Sequence, residues 1–351
     1  MRELTGDSDA SPMGHRDNPV FIVGCGRSGT TLLRLMLSSS TSLMIPPECD
    51  FLWRAAVRFG PDTRLDQARI PEFVDYTQRI SSFPGLEIDG TELLAGLMAY
   101  QAPLPVADCI AHVYASYASK RGCTRWGDKN PFYVLRLNLI QTLFPGALII
   151  HVLRDGRDVA VSYQKTKMRP YNVYMTALRW TRCVTAGQRW GAANPAQYLE
   201  IRYEDLIESS ERELRRVCGF IGETFSPTML SYYEKNQDLQ QIPPSDRAHH
   251  QNLAKPLMKN NRAKWRREMD DTQRYVFEAA AGPLLAQLGY AVAPSPPSAL
   301  LDGYLAMCRA RHTLGRTRTV RRVAGVPHWK ARRLIRNVFL IDNEHYRDQV
   351  D

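Results

Sequence analysis

No stretch of this 351-residue sequence reaches the roughly 20 consecutive apolar residues that a helix needs to cross a bilayer. The first eighteen residues, Met1 to Asn18, are polar and carry no apolar segment of the signal-peptide kind. Residues 1–18 are therefore read as a disordered leader. Asn-x-Ser/Thr occurs nowhere. The seven cysteines are an odd number, and no two stand in Cys-x-x-Cys spacing. That pattern argues against a zinc ribbon and against a disulfide framework. Together these absences predict a cytoplasmic protein. Internal repeats are absent as well.

What is present is an ordinary globular composition, 44% hydrophobic and 23% charged, with a net charge of +10. The positive balance favours an anionic ligand, a nucleic acid or an acidic membrane surface, and does not choose among them. Val20 to Gly24 is a compact apolar run ending at glycine, which predicts a buried strand. A helix follows over 30–39, with Leu32, Leu33, Leu35, Met36 and Leu37 as its apolar side. Helical segments broken by prolines fill the chain to about residue 120. A helix is expected over 131–144, opened by Pro131, and a second buried strand over 147–153. Helices over 155–165 and 171–192 and a third strand over 197–203 complete the pattern. Strands separated by helices imply an α/β fold with a parallel sheet and helical crossovers. The aromatics Trp53, Phe59, Phe73, Tyr76, Phe83 and Tyr100 fall in the helical stretch, where they serve as core or as walls for a substrate.

Between the first strand and helix lies Gly24-Cys-Gly-Arg-Ser-Gly-Thr-Thr31. Its glycines let the backbone turn tightly and aim successive N–H groups at one point. The helix behind it adds unpaired amides and a favourable dipole, and the Thr30 and Thr31 hydroxyls add donors. This is a phosphate cradle. Gly24 and Gly29 have the separation of the G-x-x-x-x-G-K-[ST] loop, but the lysine position holds Thr30, and the cation is Arg27, inside the loop. A kinase or ATPase is disfavoured on that ground, and a different phosphorylated donor is favoured.

At these residues the chain resembles the sulfotransferases that use 3′-phosphoadenosine-5′-phosphosulfate (PAPS). Gly26-Arg-Ser-Gly-Thr-Thr-Leu32 is similar to their 5′-phosphosulfate loop, and Val152-Leu-Arg-Asp-Gly-Arg-Asp-Val-Ala-Val-Ser162 to their 3′-phosphate segment. The resemblance implies a P-loop-like parallel sheet flanked by helices, with PAPS as co-substrate and no metal required. It places the domain at 19–290. It assigns Arg27, Ser28, Gly29, Thr30 and Thr31 to the 5′ end of the donor, and Arg154 and Ser162 to the 3′-phosphate. An arginine at the end of a buried strand enters the crevice where α/β folds bind ligands, which agrees. Tyr203 in Arg202-Tyr-Glu-Asp-Leu206 corresponds to a nucleotide contact. Lys255 and Lys264, in His249–Pro256 and Asn261–Trp265, correspond to a late loop that closes over the donor. A serine that relatives carry near position 249 is replaced here.

For the chemistry, the resemblance points to Glu48 in Ile45-Pro-Pro-Glu-Cys-Asp50 as general base, as in protein-tyrosine sulfotransferases and bacterial relatives; Asp50 is its local rival. The histidine base of the small-molecule branch has no equivalent: His112 and His151 sit on apolar faces and are read as structural. Lys129 in Trp126-Gly-Asp-Lys-Asn-Pro-Phe132 is the second cation, either beside the reacting group or paired with Asp128. Arg27 shares the catalytic charge. The acceptor is expected to be a hydroxyl on a small molecule, a lipid or a glycan.

Past Ala293-Pro-Ser-Pro-Pro-Ser298, a linker, residues 299–351 form a basic extension expected to be helical. Peripheral membrane contact through it, and a homodimer, are further expectations. A P-loop-like kinase and a basic nucleic-acid-binding protein stand as alternatives. The latter lacks any helix-turn-helix, zinc or aromatic RNA-binding signature, and nucleic acid is not an expected partner.

Overall fold

The computed structural model describes residues 18–39, 42–101, 103–166, 172–234, 253, 255–292, 299, 302–303 and 305–310. The leader before Asn18, the linker at 293–298, the segment around His249 and most of the basic extension fall outside these residues. By the density of its internal packing the chain divides into two units. The first is Met1–Arg154 with Ala186–Asn261, and the second is Asp155–Thr185 with Arg262–Asp351.

In chain order the elements are β1 (Val20–Gly24), α1 (Thr30–Leu37), β2 (Leu43–Met44), α2 (Phe51–Phe59), β3 (Arg64–Leu65), α3 (Ile70–Gln78), α4 (Gly90–Met98), β4 (Leu104–Pro105), α5 (Val106–Ser119), β5 (Arg125–Lys129), α6 (Leu137–Leu143), β6 (Leu148–Leu153), α7 (Gly156–Gln164), α8 (Val173–Ala193), β7 (Tyr198–Arg202), α9 (Tyr203–Glu208), α10 (Ser210–Ile221), α11 (Trp265–Glu268) and α12 (Asp271–Gln287).

The first unit is built on a five-stranded sheet in the order β2-β5-β1-β6-β7, with every neighbouring pair parallel. The central strand β1 is buried along its whole length, as expected of a parallel strand covered on both faces. One face is covered by α1, α9 and α10. There Leu33 and Met36 of α1 join Val20 and Ile22 of β1, Ile150 and Val152 of β6, and Leu206, Leu214 and Val217 in one continuous core. On the other side Phe21 meets Trp126 and Phe144, and Trp126 stacks flat on Tyr114 of α5, ring centres 4.9 Å apart. A helical layer, α2 to α5, carries the short antiparallel pair β3–β4. Phe59, Phe73 and Phe83 are buried there as core rather than as walls of a site, whereas Trp53, Tyr76 and Tyr100 stay partly exposed.

Two local expectations change. The helix expected over 131–144 begins instead as a 3-10 turn, Pro131–Leu135, capped by the Asn130 side chain, and α6 starts only after Arg136, whose φ of −138° interrupts the helix. β5 was not foreseen as a strand. Its sequence, Arg-Trp-Gly-Asp-Lys, has little intrinsic β character, yet it pairs with β1 in the register Val20↔Gly127 and Ile22↔Lys129.

The second unit has its own polar knot. Arg157 of α7 is buried, with a two-pronged contact to Asp155 at 3.0 and 2.8 Å, a bond to Glu278 of α12 at 2.7 Å and one to the Ala291 carbonyl at 2.8 Å. The Trp265 ring lies 3.7 Å from its guanidinium carbon. Trp265 also donates its backbone N–H to Asp158 at 2.9 Å. A fork held by two carboxylates and a carbonyl satisfies a buried cation that would otherwise be costly. Gly156 opens α7 because Trp180 and Phe277 leave no room: a β-carbon there would lie 2.6 Å from each.

Candidate active site

All five strands of the sheet point the same way, so the segments leaving β1, β5 and β6 emerge along one edge. That edge is the usual ligand crevice of an open parallel sheet, and Arg27, Arg154, Lys129 and Glu48 leave the strands along it.

The loop after β1 turns through two left-handed positions, Arg27 (φ 71°) and Gly29 (φ 97°). Gly29 is the N-cap of α1 and has no side chain to occupy the helix's first amides. Ser28 is buried, only 1% exposed, and its hydroxyl finds no partner among the described residues. A buried donor left open at the mouth of a glycine-rich loop and a helix N-terminus is the arrangement expected where an anion completes the hydrogen bonding. Thr30 is buried and Thr31 partly exposed.

Arg154, one residue past β6, donates to the Arg27 carbonyl at 3.1 Å and to the Asn261 carbonyl at 3.0 Å. Its guanidinium carbon lies 4.3 Å from the Tyr203 ring centre. The Tyr203 hydroxyl accepts from the Asn261 side chain at 2.5 Å. The same ring presses on the loop: a β-carbon on Gly29 would meet its Cδ2 at 2.3 Å. The two sequence segments read as opposite ends of one donor site thus meet physically through Arg154 and Tyr203. Asn261, named in the sequence only as the start of a segment, joins them.

Lys129 ends β5 and is 3% exposed, while Glu48, in the loop after β2, has a side chain 46% exposed. Lys129 Nζ donates to Glu48 Oε2 at 2.6 Å. The pairing with Asp128 does not form. Successive strand residues face opposite sides, and Asp128 instead accepts from the Tyr114 hydroxyl at 2.7 Å. Asp128 is fully buried. Burial pushes its carboxyl up to about 7, although the Tyr114 hydroxyl and the Lys129 charge pull the other way. Its second oxygen has no partner among the described residues.

Asp50, the rival acid, is occupied locally by Arg54 and by the Ser82 hydroxyl, the latter at 2.8 Å. His151 is fully buried and shares a hydrogen bond with the Tyr198 hydroxyl at 2.5 Å. His112 lies against Tyr100 on α5, and burial lowers its pKa. The structure also describes the remaining sequence candidates. Ser162 is half-buried on α7, and Lys264 is the residue just before α11, both in the second unit. Lys255 is exposed, and its carbonyl accepts from the Tyr232 hydroxyl at 3.2 Å.

A model of the sulfotransferase family matches residues 19–227, well over half of the chain. The chain belongs to the sulfotransferase family. Among curated proteins it is similar to the nodulation protein NoeE of Sinorhizobium fredii, 27% identical over 294 residues, which cover 77% of this chain and 65% of NoeE. It is similar to protein-tyrosine sulfotransferase A of Caenorhabditis elegans, 24% identical over 81% of this chain and 70% of the relative. It spans 30% of the length of a protein of Aquifex aeolicus to which it is 26% identical. Among solved structures, the sulfotransferase domain of the Synechococcus PCC 7002 olefin synthase superposes with a TM-score of 0.58 at 22% identity, over 81% of this chain and all of that domain. The sulfotransferase domain of the curacin biosynthetic pathway gives 0.57 at 18% identity, over 79% of this chain and 99% of that domain. The α/β architecture, with a parallel sheet flanked by helices, is therefore the sulfotransferase fold. No helix among the described residues is long and apolar enough to cross a membrane.

Proposed function

We propose that the protein transfers a sulfuryl group from PAPS to an acceptor hydroxyl, with Glu48 as general base and Lys129 and Arg27 as the fixed cations. The observation that carries this reading is the 2.6 Å contact between Lys129 and Glu48 at the end of β5, the strand beside the one that feeds the phosphate loop. When bound, PAPS supplies a sulfuryl group whose bond to the 5′-phosphate oxygen breaks as the acceptor oxygen bonds to sulfur. Ser28, Gly29, Thr30 and Thr31 offer that phosphate backbone and hydroxyl donors. Arg154, Ser162, Tyr203, Lys255 and Lys264 hold the 3′-phosphate and nucleotide end.

Glu48 takes the acceptor proton on a carboxylate oxygen. Lys129 has three N–H bonds, and one reaches Glu48. The others are available to neutralise charge as it develops, without the reorganisation that water would need. The half-exposed Glu48 leaves the acceptor side open. The acceptor class proposed is a hydroxyl on a small molecule, a lipid or a glycan. The names of the protein-tyrosine sulfotransferase relatives make a tyrosine phenol the alternative outcome. A cytoplasmic setting belongs to the same proposal, supported by seven cysteines none of which forms a disulfide among the described residues.

The test uses ³⁵S-labelled PAPS with a cell extract as the acceptor pool, followed by mass spectrometry of the product. Glu48→Gln is expected to lower turnover by about 10²–10⁴, and Lys129→Ala by about 10²–10³. Both should keep the thermal shift given by 3′,5′-diphosphoadenosine. Near-wild-type turnover in either variant removes that residue from the mechanism, and a thermal shift with ATP alone replaces the reading with a kinase-like one.

A further inference from the structure

Glu48 has to stand at a defined place relative to the phosphate loop, although it lies on a separate segment with a half-exposed side chain. The chain between the two contains an unusual residue. Arg34 lies on α1, the helix that the phosphate loop opens into, yet it is only 3% exposed. Its Nη1 donates to the carbonyl of Ile45 at 3.2 Å. One turn on, Ser38, the C-cap of α1, accepts the Ile45 N–H on its hydroxyl at 3.2 Å and reaches the Ile45 carbonyl more distantly, at 3.4 Å. Both polar groups of the Ile45 backbone are thus held by side chains of one helix. The Ile45 side chain is fully buried against Gly127 of β5, where a β-carbon would meet it at 3.0 Å.

From this anchor the chain runs through Pro46 and Pro47 to Glu48. Each proline ring locks φ near −65°, so the spacer has little freedom to absorb movement. Beyond Glu48 a second anchor follows: the Cys49 carbonyl accepts from the buried Tyr133 hydroxyl at 3.4 Å, and the Cys49 thiol contacts the Ser82 hydroxyl at 3.2 Å. The downstream anchor ties Glu48 to the helical layer. Among the described residues, the upstream one ties it to the helix that carries the donor loop.

We propose that Arg34 is a positioning residue for sulfuryl transfer: by holding the Ile45 carbonyl to α1, it places the Glu48 carboxylate against Lys129 and in register with the phosphate loop. A cation buried beside a leucine-rich core is costly unless it is fully hydrogen-bonded. An apolar side chain would fill the same volume on this helix face without that cost, so a buried arginine here is explained by what it holds. The inference rests on Glu48 being the base.

The experiment compares Arg34→Met, Arg34→Lys and Ser38→Ala with Glu48→Gln. Apparent kcat and donor KM are measured from ³⁵S transfer with PAPS varied and the acceptor extract held at one concentration. Binding of 3′,5′-diphosphoadenosine is followed by thermal shift. A small displacement of a reacting group costs up to about 100-fold, so Arg34→Met is expected to lower kcat by about 10- to 100-fold with donor KM within about twofold. Arg34→Lys, which keeps one donor, should restore most of the rate, and Ser38→Ala should show a smaller loss of the same kind. A purely structural role would lower the melting temperature without lowering kcat at a temperature where the variant is folded. Wild-type kcat in folded Arg34→Met, or donor KM rising in step with the loss, overturns the proposal. If Arg34→Met does not fold, a Ser38→Ala variant with unchanged kcat overturns it. Full activity in Glu48→Gln sinks the reading of the base itself; an inactive Glu48→Gln beside an unaffected Arg34→Met sinks only the positioning role.

Discussion

Replacing Gly29 by alanine puts one methyl group at the junction of the phosphate loop, α1 and the Tyr203 ring. Two separate costs follow. At φ 97° an alanine backbone is in the left-handed region, which costs about 1–2 kcal/mol. The new β-carbon would sit 2.3 Å from Tyr203 Cδ2, so the ring must move, and overpacking of that kind costs about 1–3 kcal/mol. Against these, alanine restricts the unfolded chain and returns about 0.4–1 kcal/mol. The net expectation is a loss of about 1–5 kcal/mol. The ring cannot shift alone: Arg154 stacks on it and the Asn261 amide bonds its hydroxyl. Binding of 3′,5′-diphosphoadenosine should therefore weaken by at least about tenfold, which is 1.4 kcal/mol. Denaturant unfolding and ligand titration measure the two quantities. The Tyr203→Ala background separates the causes, because there the collision is gone and Gly29→Ala should cost only the backbone part less the unfolded-chain gain, at most about 1.5 kcal/mol. An equal cost in both backgrounds, or a Gly29→Ala variant within about 0.5 kcal/mol of wild type, which is the ordinary range for a neutral surface change, would refute the reasoning.

Two further outcomes follow from the site. Arg27 holds a left-handed backbone (φ 71°) without being glycine, so Arg27→Gly should keep or slightly raise stability, by up to about 1 kcal/mol, while abolishing transfer. Arg27→Ala should lose transfer without that relief, and equal stability of the two variants in thermal unfolding would argue against strain at this position. Asp128 keeps its proton to a higher pH in the folded protein, about 7, than the usual carboxylate value of 3.8. The folded state therefore binds more protons between those values, and stability falls as pH rises from about 4 to about 7, then levels off. Asp128→Asn should remove that slope, so the difference in melting temperature between variant and wild type should grow in favour of the variant across this window; a constant difference would exclude the buried carboxyl as its source.

Several parts of the candidate site are legible in the sequence. The glycine spacing of 24, 26 and 29, the cation inside the loop and the arginine closing an apolar strand are local signals, and the structure sets them along one sheet edge. Glu48 and Lys129 are each legible as candidates, but their contact joins residues 81 positions apart and needs β2 and β5 to lie side by side. Arg34 is not singled out by the sequence, and it is buried because the loop after β2 folds back over α1. Asn261 carried no signal at all, since its role is to offer a carbonyl to Arg154 and an amide to Tyr203.

Apolar runs ending at glycine or arginine determine β1 and β6, because a strand covered on both faces must be hydrophobic at every position, and that requirement is written residue by residue. The phosphate loop is equally local, since its function depends on backbone angles that glycine alone permits cheaply. β5 is different. Arg-Trp-Gly-Asp-Lys becomes a strand only because β2 and β1 offer hydrogen-bond partners on both sides, and this placement buries Asp128 and brings Lys129 to Glu48. Charge burial and long-range pairing are properties of the assembled sheet, and no short stretch of the chain encodes them alone.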